Sequence, residues 1–464
     1  MKFLLIESHG FLQLVNEKED KTFSSLYSPP LGLLYLATSI QDEGHKAEVI
    51  QPFAEKSFYD SLPTSLKNID CVGISTTSRG FEETKTLTDK INDIDSSIPI
   101  VIGGPLCTLH PQRSLKNMPS ADISVEGEGD YVIKDIIKTL EGKRKLSELN
   151  GIYYQEKNQV KKGKDLRIIK NLDELPFPAR HLVDKYEYGK FGGDYLYKPK
   201  LTSMISSRGC PFKCRFCSRN ALSYKTYRER SAENVVEEIK SISEKYNSLL
   251  VVDDNFLANK KRAHHIFNSL IEEKLDLELL ITGARVDSAS KSLYKKMKKA
   301  GVKYLEFGIE SGNQDVLDFY NKKINIPQIR KAVTLSRKMN FITVGNFILG
   351  APIETKMHLE KTIEFACSLP LDIAFFFPLM YMDGSDLWNE AVEKGIISNN
   401  AKEFERIANV KDGLSNFTSE ELMQYCNYAV RRFYYRPTYF LKQLFRSTVR
   451  YDYRLLSTGL KNYF

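Results

Sequence analysis

Three cysteines, Cys210, Cys214 and Cys217, fall within eight residues directly after a β-rich run at 201–206. They define a thiol-bearing loop at the carboxyl end of a strand. Thiolates are the ligands of cube-type iron–sulfur clusters, and three from one loop hold three irons and leave the fourth open to a small molecule. Lys213 and Arg215 lie inside the loop, and Arg208 and Arg219 flank it. Such a cationic surround is expected to favour thiolate over thiol. A closed zinc site needs a fourth ligand, and the next cysteine downstream is Cys367. A disulfide leaves one of the three thiols over.

The strand before this loop opens a regular alternation. Strand patterns at 201–206, 249–253, 278–283, 303–309, 342–349 and 372–378 are separated by helical ones such as 231–245 and 293–300. Six strand–helix units make a partial (βα)6 barrel of the TIM type, open rather than closed at eight. Its active site is expected at the carboxyl ends of the strands, and the polar clusters fall there. They are Asp253, Asp254 and Asn255, then Arg285, then Glu310, Ser311 and Gly312, then 350–354 with Gly350 and Glu354, then 383–385. For Arg285 and Glu354 a salt bridge on the barrel rim competes with a binding role.

Residues 1–142 alternate in the same way, with strands at 3–7, 47–51, 71–75, 98–103 and 122–125 and helical stretches such as 31–42 and 82–94. The overall class is therefore α/β, and this part reads as a flavodoxin-like (Rossmann-like) domain. A ligand is expected beyond the carboxyl ends of its strands, at the loops 8–10, 75–80, 103–110 and 126–130. Gly103, Gly104, Glu126 and Gly127 let the backbone there come close to a large ligand. Residues 143–200 read as a linker holding a hairpin around Lys157 and Asn158 and a proline-stiffened strap at 175–180. The barrel is expected over 201–384, and 385–464 as a helical, basic C-terminal region.

With 464 residues, 42% hydrophobic and 27% charged, the chain has material for two or three cores. No apolar run approaches the roughly 18 to 20 residues of a membrane span, and no signal-peptide pattern opens the sequence. A cytoplasmic location is expected. Cys71, Cys107, Cys367 and Cys426 are scattered, as small buried hydrophobes in a reducing compartment would be.

The setting Ser-Arg-Gly-Cys-Pro-Phe-Lys-Cys at 207–214, with Cys217 following, resembles the signature of the radical S-adenosylmethionine enzymes. More narrowly, it resembles their branch with an N-terminal cobalamin-binding domain. That resemblance implies a [4Fe-4S] cluster on Cys210, Cys214 and Cys217, whose open iron chelates S-adenosylmethionine for reductive cleavage. It implies that Asp253 or Asp254 contacts the methionine amino group, where acidic residues stand in place of the commoner Gly-Gly-Glu. Glu310 and Ser311 would touch ribose and carboxylate, and Gly350 and Glu354 would belong to the adenine segment, with Arg285 on the same rim. The run Pro-Pro-Leu-Gly-Leu-Leu-Tyr-Leu-Ala at 29–37, with Gly103, Gly104, Glu126 and Gly127, is similar to the family's cobalamin domain. The Asp-x-His-x-x-Gly element of other cobalamin proteins is absent, Glu7-Ser8-His9 being no match, so no histidine is expected on cobalt.

The activity so implied is radical chemistry at an unactivated carbon, by cobalamin-dependent methyl transfer or a related cyclisation or coupling. It would need a small-molecule or lipid-like substrate and an electron donor such as flavodoxin or ferredoxin. Two other classes compete. A methylthiotransferase acting on RNA is expected to carry three more N-terminal cysteines and a C-terminal β-barrel. A non-catalytic iron–sulfur redox or scaffold protein would not need the ring of polar loops.

The net charge of +8 sits almost wholly in the tail, where eight Lys or Arg from Arg431 onward face the single Asp452. Lys442, Arg446, Arg450 and Arg454 recur every four residues, one basic stripe on a helix, with Leu441, Leu444, Phe445 and Val449 elsewhere. Such a tail is expected to meet a membrane at its inner face or a lipid-like substrate. The competing reading is a helix docked on the barrel with its charged side in water. No nucleic-acid module accompanies the basic and aromatic residues, so a nucleic-acid partner is not expected.

Overall fold

Leu4, Leu5 and Ile6 are all buried, as the middle of a parallel sheet covered on both faces requires. They belong to β1 (Lys2–Glu7), which lies between β2 (Lys46–Ile50) and β3 (Cys71–Ser75). The sheet continues through β4 (Ile100–Gly103), β5 (Ile123–Val125), β6 (Ile152–Glu156) and β7 (Gln159–Lys162), in the order β2-β1-β3-β4-β5-β6-β7. The first five strands run parallel in the flavodoxin-like order, covered by helices such as Leu31–Asp42, Phe81–Ile94 and Gly129–Leu140. β6 and β7 add antiparallel. The hairpin expected in a linker is therefore the edge of the first sheet. Its alternate residues Ile152 and Tyr154 are apolar and buried, which a free hairpin could not achieve.

The computed structural model describes residues 1–8, 28–55, 57–191, 194–397, 414–450 and 452–457. His9 lies outside them. The chain divides into two compact units, one up to Glu187 and one from Tyr188 onward.

In the second unit β8 (Lys190–Phe191) and β9 (Asp194–Tyr195) form a short hairpin, and β11 (Ser207–Arg208) pairs with β12 (Arg228–Glu229). The main sheet has six strands, β10 (Leu201–Met204), β13 (Ser248–Val251), β14 (Glu278–Ala284), β15 (Val302–Glu310), β16 (Ile342–Leu349) and β17 (Ile373–Pro378). They stand in sequence order, every pairing is parallel, and β10 does not meet β17, so the barrel is open.

Burial alternates along these strands. Leu305, Phe307, Ile309, Phe347, Leu349, Ala374 and Phe376 enter the core under the helices. Their neighbours Thr282, Glu306, Gly308, Asn346, Ile348 and Phe375 stay half-buried, and Phe377 is exposed. Toward the carboxyl ends of the strands the concave side is thus partly open and gives a ligand a wall to lie against, while Leu280, Tyr304 and Val344 fill its other end.

The tail folds as helices Asp386–Glu393, Ser419–Tyr434 and Pro437–Arg450. The basic stripe turns mostly inward, onto the barrel. Arg446 and Arg450 donate to the Phe341 carbonyl and reach the buried Asp372 carboxylate, and Arg454 reaches Glu278. Carboxylates and carbonyls at the amino ends of β14, β16 and β17 need cationic partners, and the helix supplies them. Only Lys442 of the stripe stays exposed. Among the described residues no helix is long and apolar enough to cross a membrane.

Candidate active site

The cysteine loop is held by its backbone. Gly209 has φ +84°, and a Cβ there would lie 2.1 Å from the Thr226 carbonyl oxygen, so only glycine makes this turn. Arg215 N–H donates to the Tyr320 carbonyl at 3.0 Å and Cys217 N–H to the Cys214 carbonyl at 3.0 Å. Asn321 and Asn220 amides cap the carbonyls of Lys213 and Phe212 at 2.8 and 2.9 Å. These anchors leave the thiols unpaired with one another and half-buried. Among the described residues no three His, Cys, Asp or Glu side chains gather tightly enough to hold one metal ion. A [4Fe-4S] cluster gives each thiolate its own iron, so three thiols from one loop suffice to hold it.

Burial pushes all three thiols up, Cys217 to about 11. Arg285 and Lys322 pull Cys210 and Cys214 back, and Arg219 does so for Cys217. The cationic surround expected from the loop itself is therefore largely supplied from elsewhere. Lys213 points to solvent, while Arg215 pairs with Glu390 at 2.5 Å and lies over the Phe319 ring. With the loop backbone tied to Tyr320 and Asn321, these two side chains turn outward.

Lys322 carries no signal in the sequence. It follows the short helix Gln314–Phe319 between Asn321 and Lys323, both in the left-handed region, and its ammonium lies 2.6 Å from Glu310 Oε1. Burial works against the Lys322 charge, but Glu310 and Cys214 outweigh it and raise its pKa. Glu310 ends β15 with φ +69°, a strained position for a residue with a side chain, of the kind that persists where the surroundings enforce it. Gly308 makes room for the pair, because its Cβ would fall 2.5 Å from Glu310 Oε1.

The adjacent aspartates have different surroundings. Asp253 is buried and accepts from Ser206 N–H and Oγ, both at 2.7 Å, and from Ser207 Oγ at 2.5 Å. Arg262 donates to the Ser206 carbonyl and hydroxyl behind it. Both Asp253 oxygens thus fasten the start of the cysteine loop. Asp254 is half-buried, lies 3.0 Å from Arg219 Nε, and its charge is felt by Cys210 and Cys217.

The remaining expected residues divide. Arg285 stacks on the Phe212 ring at 3.5 Å and pairs with Asp287 at 2.9 Å, so it braces the loop as well as the rim. Ser311 turns away, its Oγ 3.0 Å from Thr362 Oγ1. Gly350, with φ +105°, packs on Leu422, whose Cδ1 would sit 2.5 Å from a Cβ. Glu354 Oε2 accepts from Gly350 and Ala351 N–H at 2.6 and 2.8 Å, while Oε1 is buried with no hydrogen-bond partner. Burial raises Glu354 to about 7. It makes no salt bridge among the described residues.

Below the rim, the concave face carries one polar group that the sequence did not reveal. Glu306 accepts from Asn346 Nδ2 at 2.6 Å and Tyr304 Oη at 2.9 Å, and Asn346 Oδ1 has no partner. Four residues separate Glu306 from Glu310, about 13 Å along the strand.

In the first unit Ser75, 77–79, Gly103, Gly104 and 126–129 are all half-buried at the carboxyl edge of the sheet. Gly104 has φ +93° and would strike the Thr76 backbone with a Cβ at 2.8 Å. This open edge of hydroxyls and glycines fits a large ligand approached by backbone.

Two family models match, the radical SAM superfamily over residues 204–366 and the B12 binding domain over residues 24–137. An uncharacterised methyltransferase of Pyrococcus horikoshii is 32% identical over 422 residues, covering 90% of each chain. A cytidylyl-2-hydroxyethylphosphonate methyltransferase of Streptomyces wedmorensis is 24% identical, covering 79% of this chain and 78% of its own. The radical S-adenosylmethionine methyltransferase TsrM of Kitasatospora setae superposes with a TM-score of 0.69 at 15% identity, over 85% of this chain and 76% of its own. Cysteine loop, open parallel barrel and flavodoxin-like unit agree with both family models, and the chain belongs to the cobalamin-dependent radical S-adenosylmethionine methyltransferase family, whose cofactors are a [4Fe-4S] cluster, S-adenosylmethionine and cobalamin.

Proposed function

We propose that this enzyme methylates an unactivated carbon of a largely apolar substrate lying on the concave face of the barrel. The observation that carries the reading is the convergence of Cys210, Cys214 and Cys217 with Asp254 and the Glu310–Lys322 pair at the carboxyl end of that face. When bound, the cluster supplies the electron that cleaves the sulfonium, and cobalamin carries the methyl group.

The chain's own residues bind and orient. Asp253 fixes the loop, while Asp254 and Glu310 offer carboxylates to the ammonium and hydroxyl groups of S-adenosylmethionine, with Lys322 available to its carboxylate. Ile348, Phe375 and Phe377 give the substrate an apolar wall. Glu306 and Asn346 Oδ1 accept from one donor group on it and so set its orientation. Methyl transfer is preferred to cyclisation or coupling because the relative that is 32% identical is named a methyltransferase. The electron donor would be a one-electron carrier of the flavodoxin or ferredoxin kind.

The RNA methylthiotransferase reading lacks support. Cys71 and Cys107 are each buried singly, and the described C-terminal residues are helical. Anaerobically reconstituted protein loaded with cobalamin, given dithionite, S-adenosylmethionine and a protein-free cell extract, should form 5′-deoxyadenosine, S-adenosylhomocysteine and a product one methyl heavier. Cys210→Ala should abolish 5′-deoxyadenosine and the methylated product. Formation of 5′-deoxyadenosine without a methylated product would overturn methyl transfer and leave radical chemistry standing.

A further inference from the structure

We propose that the outward face of the helix Pro437–Arg450 is a docking surface for a bilayer bearing anionic headgroups. The helix sits with its polar side inward. Tyr439 Oη and Gln443 reach the Asp372 carbonyl, and Arg446 and Arg450 reach the Asp372 carboxylate and the Phe341 carbonyl. Arg446 is 3% exposed. The opposite side is apolar and faces water. Leu441, Leu444, Phe445 and Val449 are 64, 43, 68 and 51% exposed, and their spacing of three, one and four residues makes one continuous stripe. A surface helix ordinarily has the reverse orientation, and a contiguous apolar stripe in water marks an interaction site.

The charge around the stripe indicates its occupant. Lys442 is exposed beside Leu441 and Phe445, and Arg431 and Arg432 are exposed on the preceding helix. From Leu422 to Arg450 there is no Asp or Glu. Exposed Tyr435 and Tyr453 lie near the two ends of the helix, a position that suits the headgroup level of a membrane. An apolar face with cationic residues along its border is what an interfacial helix uses to bury its side chains among acyl chains and attract acidic lipids. A second copy of the chain would bring like charges together, since a two-fold contact pairs a patch with itself. An acidic protein partner would answer the cations but leave the leucine and phenylalanine stripe unmatched. The helix docks at the amino ends of the strands, the pole opposite the cysteine loop, so a membrane there leaves the active site uncovered.

The test is co-sedimentation of the full-length holoenzyme with vesicles of equimolar phosphatidylglycerol and phosphatidylcholine, compared with phosphatidylcholine alone. The wild type should pellet with the anionic vesicles and release at high salt. A Leu441→Ser, Phe445→Ser and Val449→Ser triple variant should partition about tenfold less or weaker still, with unchanged cluster absorbance and 5′-deoxyadenosine formation. Lys442→Glu should reduce the preference for anionic vesicles while keeping the fold. Equal sedimentation of wild type and triple variant would overturn the proposal. So would a concentration-dependent dimer that the triple variant abolishes without any vesicle binding, which would assign the face to a second copy. Activity is read separately, so failure here leaves the proposed reaction untouched.

Discussion

Lys322 Nζ stands 2.6 Å from Glu310 Oε1, and both side chains are buried beside Cys214. A buried ion pair adds little net stability over an apolar pair, but removing one partner strands the other.

Lys322→Met should therefore destabilise the protein by about 3 to 5 kcal/mol in urea unfolding. The double variant Glu310→Gln, Lys322→Met should recover most of that loss. If the pair also binds S-adenosylmethionine, the double variant should still assemble its cluster yet bind the cofactor at least about tenfold more weakly. Full binding by the double variant would make the pair structural.

Asp253 and Asp254 should separate by phenotype. Asp253→Ala removes three hydrogen bonds from the start of the cysteine loop, so cluster content should fall and stability should drop by about 3 kcal/mol. Asp254→Asn should leave iron content intact and weaken S-adenosylmethionine binding, as isothermal titration would show. Equal iron loss in both would mean that Asp254 also holds the loop.

Glu354 gives a pH signature. Its pKa is raised from 4.5 to about 7, so the unfolded chain releases this proton first. The unfolded state thus binds fewer protons between those values, and the group's contribution to stability falls as pH rises through that window. Glu354→Gln abolishes this slope. The stability of the variant relative to wild type should increase by at most about 3 kcal/mol between about pH 4.5 and about pH 7. A pH-independent difference in urea unfolding would show that the carboxyl titrates normally.

Asp372 is the anchor of the last helix. It receives Arg450 at 2.9 Å, Arg446 at 3.1 Å and Thr343 N–H at 2.8 Å. Asp372→Ala leaves two buried guanidinium groups without a counter-charge and should cost about 3 to 5 kcal/mol. Limited proteolysis should then cut within 437–450. Continued protection would mean that Phe433, Tyr434 and Tyr439 packing alone retains the helix.

The sequence by itself determined the two α/β alternations, the three-cysteine loop and the polar strand ends, because periodicity and spacing are local properties that survive any tertiary arrangement. Asp254 and Glu310 were legible as carboxylates at strand ends for that reason. Whether Asp253 or Asp254 stays available depended on which one Ser206 and Ser207 engage, a contact between separate strands. Lys322, Glu306 and Asn346 join the proposed site only because β15, β16 and the loop after Phe319 come together. The tertiary structure also decided which side of the last helix faces in. Its pattern marks an apolar and a basic side, but a helix carries no record of the surface it will meet. The carboxylates of Asp372 and Glu278 and the Phe341 carbonyl needed cations more than the barrel end needed leucines, and that need turned the basic stripe inward.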